Sequence, residues 1–184
     1  MDHGWAEAAT TWAIIATAVA SWVLAVVTVC MVSAQIGEAK RATGLQLFTQ
    51  LARDFQDPAM RGLRRVFASE LLAARLHDPV RRPLADETVL EFFENLAHLT
   101  RDKVLDRRIV WNYFSVAVEG YWYAAKDYVI ALRTTDRDSE LYCDLEWLST
   151  ELTKITSKRT RQIVPRSPSP EKVNDFLRSE QSLT

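Results

Sequence analysis

Glycine and proline are scarce, five and six in 184 residues. So few turn formers exclude a fold of many short strands, which needs a turn roughly every 8–12 residues. Cysteine is scarcer still, with Cys30 and Cys143 alone. Two thiols exclude a disulfide scaffold and any four-cysteine zinc module. Charge of one sign is also lacking: Lys+Arg 23 against Asp+Glu 24 leaves a formal charge of −1. That balance excludes a dedicated nucleic-acid binder, so no nucleic-acid partner is expected. Wholesale disorder is excluded too, because it needs low hydrophobicity and a large net charge. The chain has no G-x-G-x-x-G, no Walker-type phosphate loop, no G-x-S-x-G, no H-E-x-x-H and no C-x-x-C. These absences leave no motif-based reason to expect a cofactor or an enzyme.

What is present is unevenly distributed. From Ala8 to Gly37 there is no charged residue, a run of 30. Its apolar heart is Trp12 to Ala34, interrupted only by Thr17, Ser21, Thr28 and Ser33. As a helix those residues reach roughly 34 Å, enough to span a hydrocarbon core about 30 Å thick. The flank before the run holds Asp2 and Glu7 and no Lys or Arg. A signal peptide wants a basic start and a shorter apolar core, so the run reads as an uncleaved transmembrane helix over 10–34. Lys40, Arg41 and Arg53 follow it. The positive-inside rule then puts residues 1–9 outside and the body in the cytosol, a single-pass protein of the cell (inner) membrane. The bilayer is thus the first expected partner. Within the run Ala13, Thr17, Ser21 and Ala25 recur every four residues. Small side chains at that spacing form a candidate helix–helix face for a homodimer, with chance recurrence in an alanine-rich span as the plainer reading.

Residues 35–159 read as a cytosolic antiparallel bundle of about four to five helices, so the fold class is all-α. Leu45, Phe48, Leu51, Ala52 and Phe55 continue a helix past the membrane, with Gly37 and Gly44 allowing a bend. Asp57-Pro58 starts a second helix reaching about Leu76, with Leu63, Val66, Phe67, Leu71 and Ala74 as its apolar stripe. Asp86 caps a third helix built on Val89, Phe92, Phe93, Leu96 and Leu99. Asp106 caps a fourth, reaching about Arg133, dense in aromatic residues. Glu119, Lys126 and Asp127 keep that helix out of lipid, where each central charge costs about 2.5–3.5 kcal/mol. Asp138 or Ser139 caps a fifth, with Leu141, Leu145, Leu148, Leu152 and Ile155 as its seam. Residues 160–184, basic and then rich in proline and serine, read as a mobile tail with one helical turn near Val173 to Leu177.

FFENLAHL, a short turn and YFSVAVEGYW, set behind one N-terminal span and a charged stalk, resemble an uncharacterised bacterial family of membrane-anchored helical proteins. That family is known only as a domain of unknown function (number 4760). The resemblance covers roughly residues 35–157 and is carried by Phe92, Phe93, Glu94, Phe114, Tyr121 and Trp122. The family's turn often holds a glycine where this chain has Asp102-Lys103. The resemblance implies topology and brings no activity with it.

Four constellations are candidates for chemistry. Glu91, Glu94 and His98 share one helical stripe and are metal-ligand candidates, with a solvated polar face as the plainer reading. Glu70 falls with Leu63, Phe67, Leu71 and Ala74, which predicts a buried ion pair with Arg101 or Arg133, with a catalytic acid and a residue at the edge of the core as the other readings. Trp111, Tyr113, Tyr121, Trp122 and Tyr123 line either a pocket or the core. Lys158, Arg159, Arg161 and Arg166 suit either a helix C-terminus or anionic lipid headgroups. The leading functional expectation is an interaction, scaffold or regulatory module that binds a protein partner. A metal- or carboxylate-dependent hydrolase using Glu94, His98 and Glu70 is the alternative, and a membrane-acting effector is a further one.

Overall fold

A computed structural model describes residues 3–77, 86–161 and 167–183, with the side chains of residues 3–11, 13–20, 23, 76 and 77 outside that description. It holds six helices and, among the described residues, no strand: α1 (His3–Gln56), α2 (Pro58–His77), α3 (Thr88–Arg101), α4 (Arg107–Asp136), α5 (Cys143–Thr160) and α6 (Pro170–Gln181). The chain divides into two units, Met1–Thr43 and Gly44–Thr184.

The first unit holds only the part of α1 that ends at Thr43, and α1 continues into the second unit. The first unit's side chains, where described, are exposed. Among the described residues no helix is long and apolar enough to cross a membrane. Of the expected span at 10–34, the side chains of residues 10, 11, 13–20 and 23 lie outside the description, among them Ala13 and Thr17 of its small-residue face. Ser21 and Ala25 of that face are exposed. Gly37 and Gly44 both lie within the continuous helix α1.

The second unit is an all-α bundle. Local chemistry sets its helix starts. Asp57 Oδ1 accepts from the Ala59 N–H at 2.8 Å, just where proline opens α2. Asp106 accepts from the N–H groups of Arg108 and Ile109 at 2.7 and 3.3 Å and caps α4. Both caps satisfy amide groups that have no helical acceptor. Asp138 behaves differently from its expected role. Its carboxylate accepts from the Glu140 N–H at 2.9 Å and closes a turn, and α5 starts five residues later.

The core is largely phenylalanine, tyrosine and leucine. Phe55 meets Phe93 and Phe114 edge-on, with ring centroids 5.6 and 5.3 Å apart. Tyr121 lies 5.4 Å from Phe93. Leu145, Leu148 and Leu152 are fully buried, as their spacing requires, and α5 packs against both α3 and α4. On α2 the buried face is Arg64, Phe67, Ala68, Leu71 and Leu72. The expected stripe is rotated from this, for Val66 is exposed and Leu63 only half-buried.

The tail needs correction. Ser169 and Pro170 open α6, which packs against α2 and α4 with Val173 and Leu177 buried. Its periodicity is short, but Gly120 provides a seat. A Cβ there would stand 2.6 Å from the ring of Phe176, so the bare backbone lets that ring approach α4. An ion pair with α2 then fixes the last turn.

Candidate functional site

That ion pair joins Arg64 to Glu180. Arg64 Nε and Nη2 donate to the two carboxylate oxygens, each at 2.8 Å. Both side chains are buried. Tyr121 also donates to Glu180 Oε2 at 2.7 Å, and Arg64 Nη1 donates to Phe55 O at 3.2 Å. The guanidinium lies 3.8 Å from the centre of the Phe55 ring. Burial, and then the negative Glu180, push the Tyr121 hydroxyl far above its ordinary pKa, so it stays a donor. A fork geometry of this kind satisfies both ions, the condition for keeping charge in a core.

The buried pair expected at Glu70 does not form. Arg101 donates to Asp144, and Arg133 donates to Glu146 at 2.8 Å and to Leu141 O at 2.8 Å. Glu70 sits half-buried beside the buried face of α2, with its Oε2 unpartnered among the described residues. Burial first, and Asp86 second, raise its pKa. Sequence periodicity found a charged residue among apolar neighbours but chose the wrong one. Arg64, at i−3 and i−7 from Phe67 and Leu71, was the charge on the buried face.

The candidate metal stripe lies on one wall of an open cavity of about 580 Å³ between α3 and the start of α5. Glu91, Glu94 and His98 line it from α3, and Asp138, Glu140 and Asp144 face them. Proximity does not make these residues ligands. Glu94 accepts from the N–H groups of Asp144 and Leu145 at 3.2 and 2.7 Å. It thereby caps α5, whose own N-cap residue, Tyr142, supplies no side-chain bond. Burial raises the pKa of Glu94, and the two amide bonds oppose that rise. His98 Nδ1 lies 3.0 Å from Asp144 Oδ2. Arg101 donates to the other oxygen of Asp144. Burial acts to raise Asp144, but Arg101 and His98 outweigh it and hold the carboxyl below its ordinary range. Among the described residues no group of three His, Cys, Asp or Glu side chains could hold a metal ion. The cavity wall is an interhelical brace.

A second brace was not foreseen. Glu87 accepts from Tyr128 and, at 2.6 Å, from Tyr142, which ties α4 to the turn before α5. Tyr142 holds a left-handed backbone, φ 55°. Nothing in the local sequence signals these bonds, since the partners lie 41 and 55 residues apart.

The aromatic helix divides between core and surface. Tyr121, Trp122 and Phe114 are buried, whereas Tyr113 is 70% exposed. Trp111 is half-buried and donates to Thr156 Oγ1 at 2.8 Å. Tyr123 and Glu119 are half-buried, and burial raises the pKa of both. Tyr113 and Phe114 border a groove of about 260 Å³ with Ala52 and Phe55. Lys158, Arg159 and Arg161 are exposed at the end of α5, and Arg166 lies outside the described residues.

An all-α bundle braced by ion pairs and carboxylate caps is the class of protein defined here. Within it, the chain belongs to the family known as Domain of unknown function (DUF4760), whose match covers residues 13–152. The match takes in the apolar run as well as α2 to α4 and most of α5, and stops before α6. No curated protein and no solved structure matches the chain.

Proposed function

We propose that this protein is a single-pass, membrane-anchored helical module that works by binding a protein partner. The observation that carries the anchor is the uncharged run from Ala8 to Gly37. In the described part of that run Trp22, Leu24, Val26, Val27, Val29, Met31 and Val32 are all exposed. Successive helical positions point about 100° apart, so these residues make the stretch from Trp22 to Val32 apolar on every side. A helix of that kind, uncovered by its own chain, calls for an apolar surrounding. Thr28 returns its hydroxyl to Leu24 O at 2.8 Å and adds no unmet polarity. The charge flanks favour an external N-terminus and a cytosolic bundle at the cell membrane.

The binding half of the proposal is supported by how the bundle uses its polar groups. Glu94 caps α5, Asp144 holds His98 and Arg101, and Glu180 holds Arg64 and Tyr121. Each is committed to holding helices together. On the outer surface Leu45, Tyr113 and Val116 leave apolar side chains open to a partner. Alkaline carbonate extraction and terminal reporters test the anchor. The chain should stay in the membrane pellet, with a reporter after Thr184 reading cytosolic and one before Met1 external. Release by carbonate, or a mature chain starting near Gln35, would overturn it.

The competing reading, a metal-assisted hydrolase, draws on the cavity that brings Glu91, Glu94 and His98 to one wall. Metal analysis of the purified full chain separates the two. Stoichiometric metal lost in Glu94→Ala/His98→Ala would favour the hydrolase.

A further inference from the structure

The first turns of α4 and the last turns of α5 lie side by side. Arg107 donates to Glu151 at 2.8 Å, Trp111 to Thr156 at 2.8 Å, and Arg159 to Asn112 at 3.4 Å. Between the two helices is a cleft of about 430 Å³ lined by Arg107, Arg108, Glu151, Lys154, Lys158 and Arg159. Five cations there face one carboxylate. Glu151 is shared by Arg107 at 2.8 Å and Lys154 at 2.7 Å. Among the described residues the side chains of Arg108 and Lys158 make no ion pair. Arg159 lies 4.1 Å from the centre of the Trp111 ring, a stacking that orients its guanidinium.

Helix electrostatics explain only half of this cluster. Lys158 and Arg159 close α5, where the helix dipole favours cations. Arg107 and Arg108 open α4, where it opposes them. Cations gathered against a dipole, in excess of the one carboxylate beside them, are suited to an anion. Guanidinium and ammonium donors around one cleft match the oxygens of a phosphoryl group.

We infer that this cleft binds a phosphoryl group through Arg108, Lys158 and Arg159, and that the phosphoryl group belongs to an anionic phospholipid. The lipid source rests on the membrane-anchored reading; the chemistry of the cleft does not. Gly44 packs against Val104, to whose carbonyl oxygen a Cβ on Gly44 would come within 2.4 Å. Val104 lies three residues before Arg107. The bundle's first residue therefore lies beside the turn that leads into the cleft. The proposed contact requires the headgroup to enter the cleft itself, since charge is screened within about 8 Å at physiological salt.

The test is native mass spectrometry of the full chain in neutral detergent, offered phosphatidylglycerol, phosphatidylcholine or inorganic phosphate in separate arms. Phosphatidylglycerol adducts should exceed phosphatidylcholine adducts. They should weaken on the order of 25-fold in Arg108→Gln/Lys158→Gln, from the loss of two surface charges. Arg108→Lys/Lys158→Arg should keep them, which controls for misfolding. Equal phosphatidylglycerol binding by wild type and the glutamine variant would overturn the inference. Variant-sensitive inorganic phosphate binding without preference for phosphatidylglycerol would support the phosphoryl site and overturn its lipid source. Carbonate release of the chain would sink the anchor, and the phosphate arm would then decide the cleft by itself.

Discussion

Leu145 N–H donates a 2.7 Å hydrogen bond to Glu94 Oε2, so a carboxylate on α3 caps a helix that begins 49 residues later. Removing it leaves two amide groups of α5 without their acceptor. Glu94→Ala should cost about 1–2 kcal/mol, the usual worth of an N-cap. Glu94→Gln should cost less, because its carbonyl oxygen still accepts. Urea melts of the three proteins measure this. A Glu94→Ala variant as stable as wild type would remove the cap from the account.

The buried pair of Arg64 and Glu180 should respond asymmetrically. Arg64→Met alone leaves Glu180 charged and unpaired, and Glu180→Leu alone does the same to Arg64. Each should cost about 3–5 kcal/mol. The double variant should recover most of that loss, since apolar groups of similar size often replace a buried pair without cost. A double-mutant cycle with additive losses would contradict the coupling.

Two glycines in α1 predict opposite outcomes. Gly37 has open space where a Cβ would go, and alanine there should stabilise the helix by about 0.5–1 kcal/mol. At Gly44 the same methyl meets a backbone carbonyl that cannot swing aside, and Gly44→Ala should cost about 1–3 kcal/mol. Thermal melts of the two variants in one detergent compare them directly. Equal shifts would mean that the Gly44–Val104 approach is not close.

Glu119 supplies a pH test. Burial raises its carboxyl above the ordinary 4.5, partly offset by the hydroxyl of Thr153. The ionised form therefore costs the fold more than it costs the unfolded chain. Its favourable contribution is complete below about pH 4.5 and fades as pH rises through the raised value. Glu119→Gln removes that fading. The variant should match wild type near pH 4 and exceed it near pH 7 in urea melts at the two pH values. A wild type that is the more stable at pH 7 would reverse the sign.

Regular spacing was the legible part of the fold. Leu145, Leu148 and Leu152 repeat along α5 and are all fully buried. Asp57 and Asp106 mark helix starts because a short carboxylate reaches its own chain's amides. The braces were illegible for the opposite reason. Glu94 has its meaning only when Leu145 is brought to it, and Glu87 only when Tyr128 and Tyr142 arrive. At Glu70 the period was read correctly but its phase was not, and the charge that mattered was Arg64. The tail misled through composition. Prolines and serines around residues 165–170 look like a tether, yet Ser169 and Pro170 are a cap and a first helical residue.

The Arg64–Glu180 pair also dictates a schedule. Its members are 116 residues apart. During synthesis at about 5–20 residues per second, the guanidinium waits roughly 6–23 s for its carboxylate. Over that interval α2 has no α6 to cover it, and the face that α6 will take is open to whatever is near. A chaperone or a neighbouring nascent chain has that window, and it closes when Val173 and Leu177 arrive.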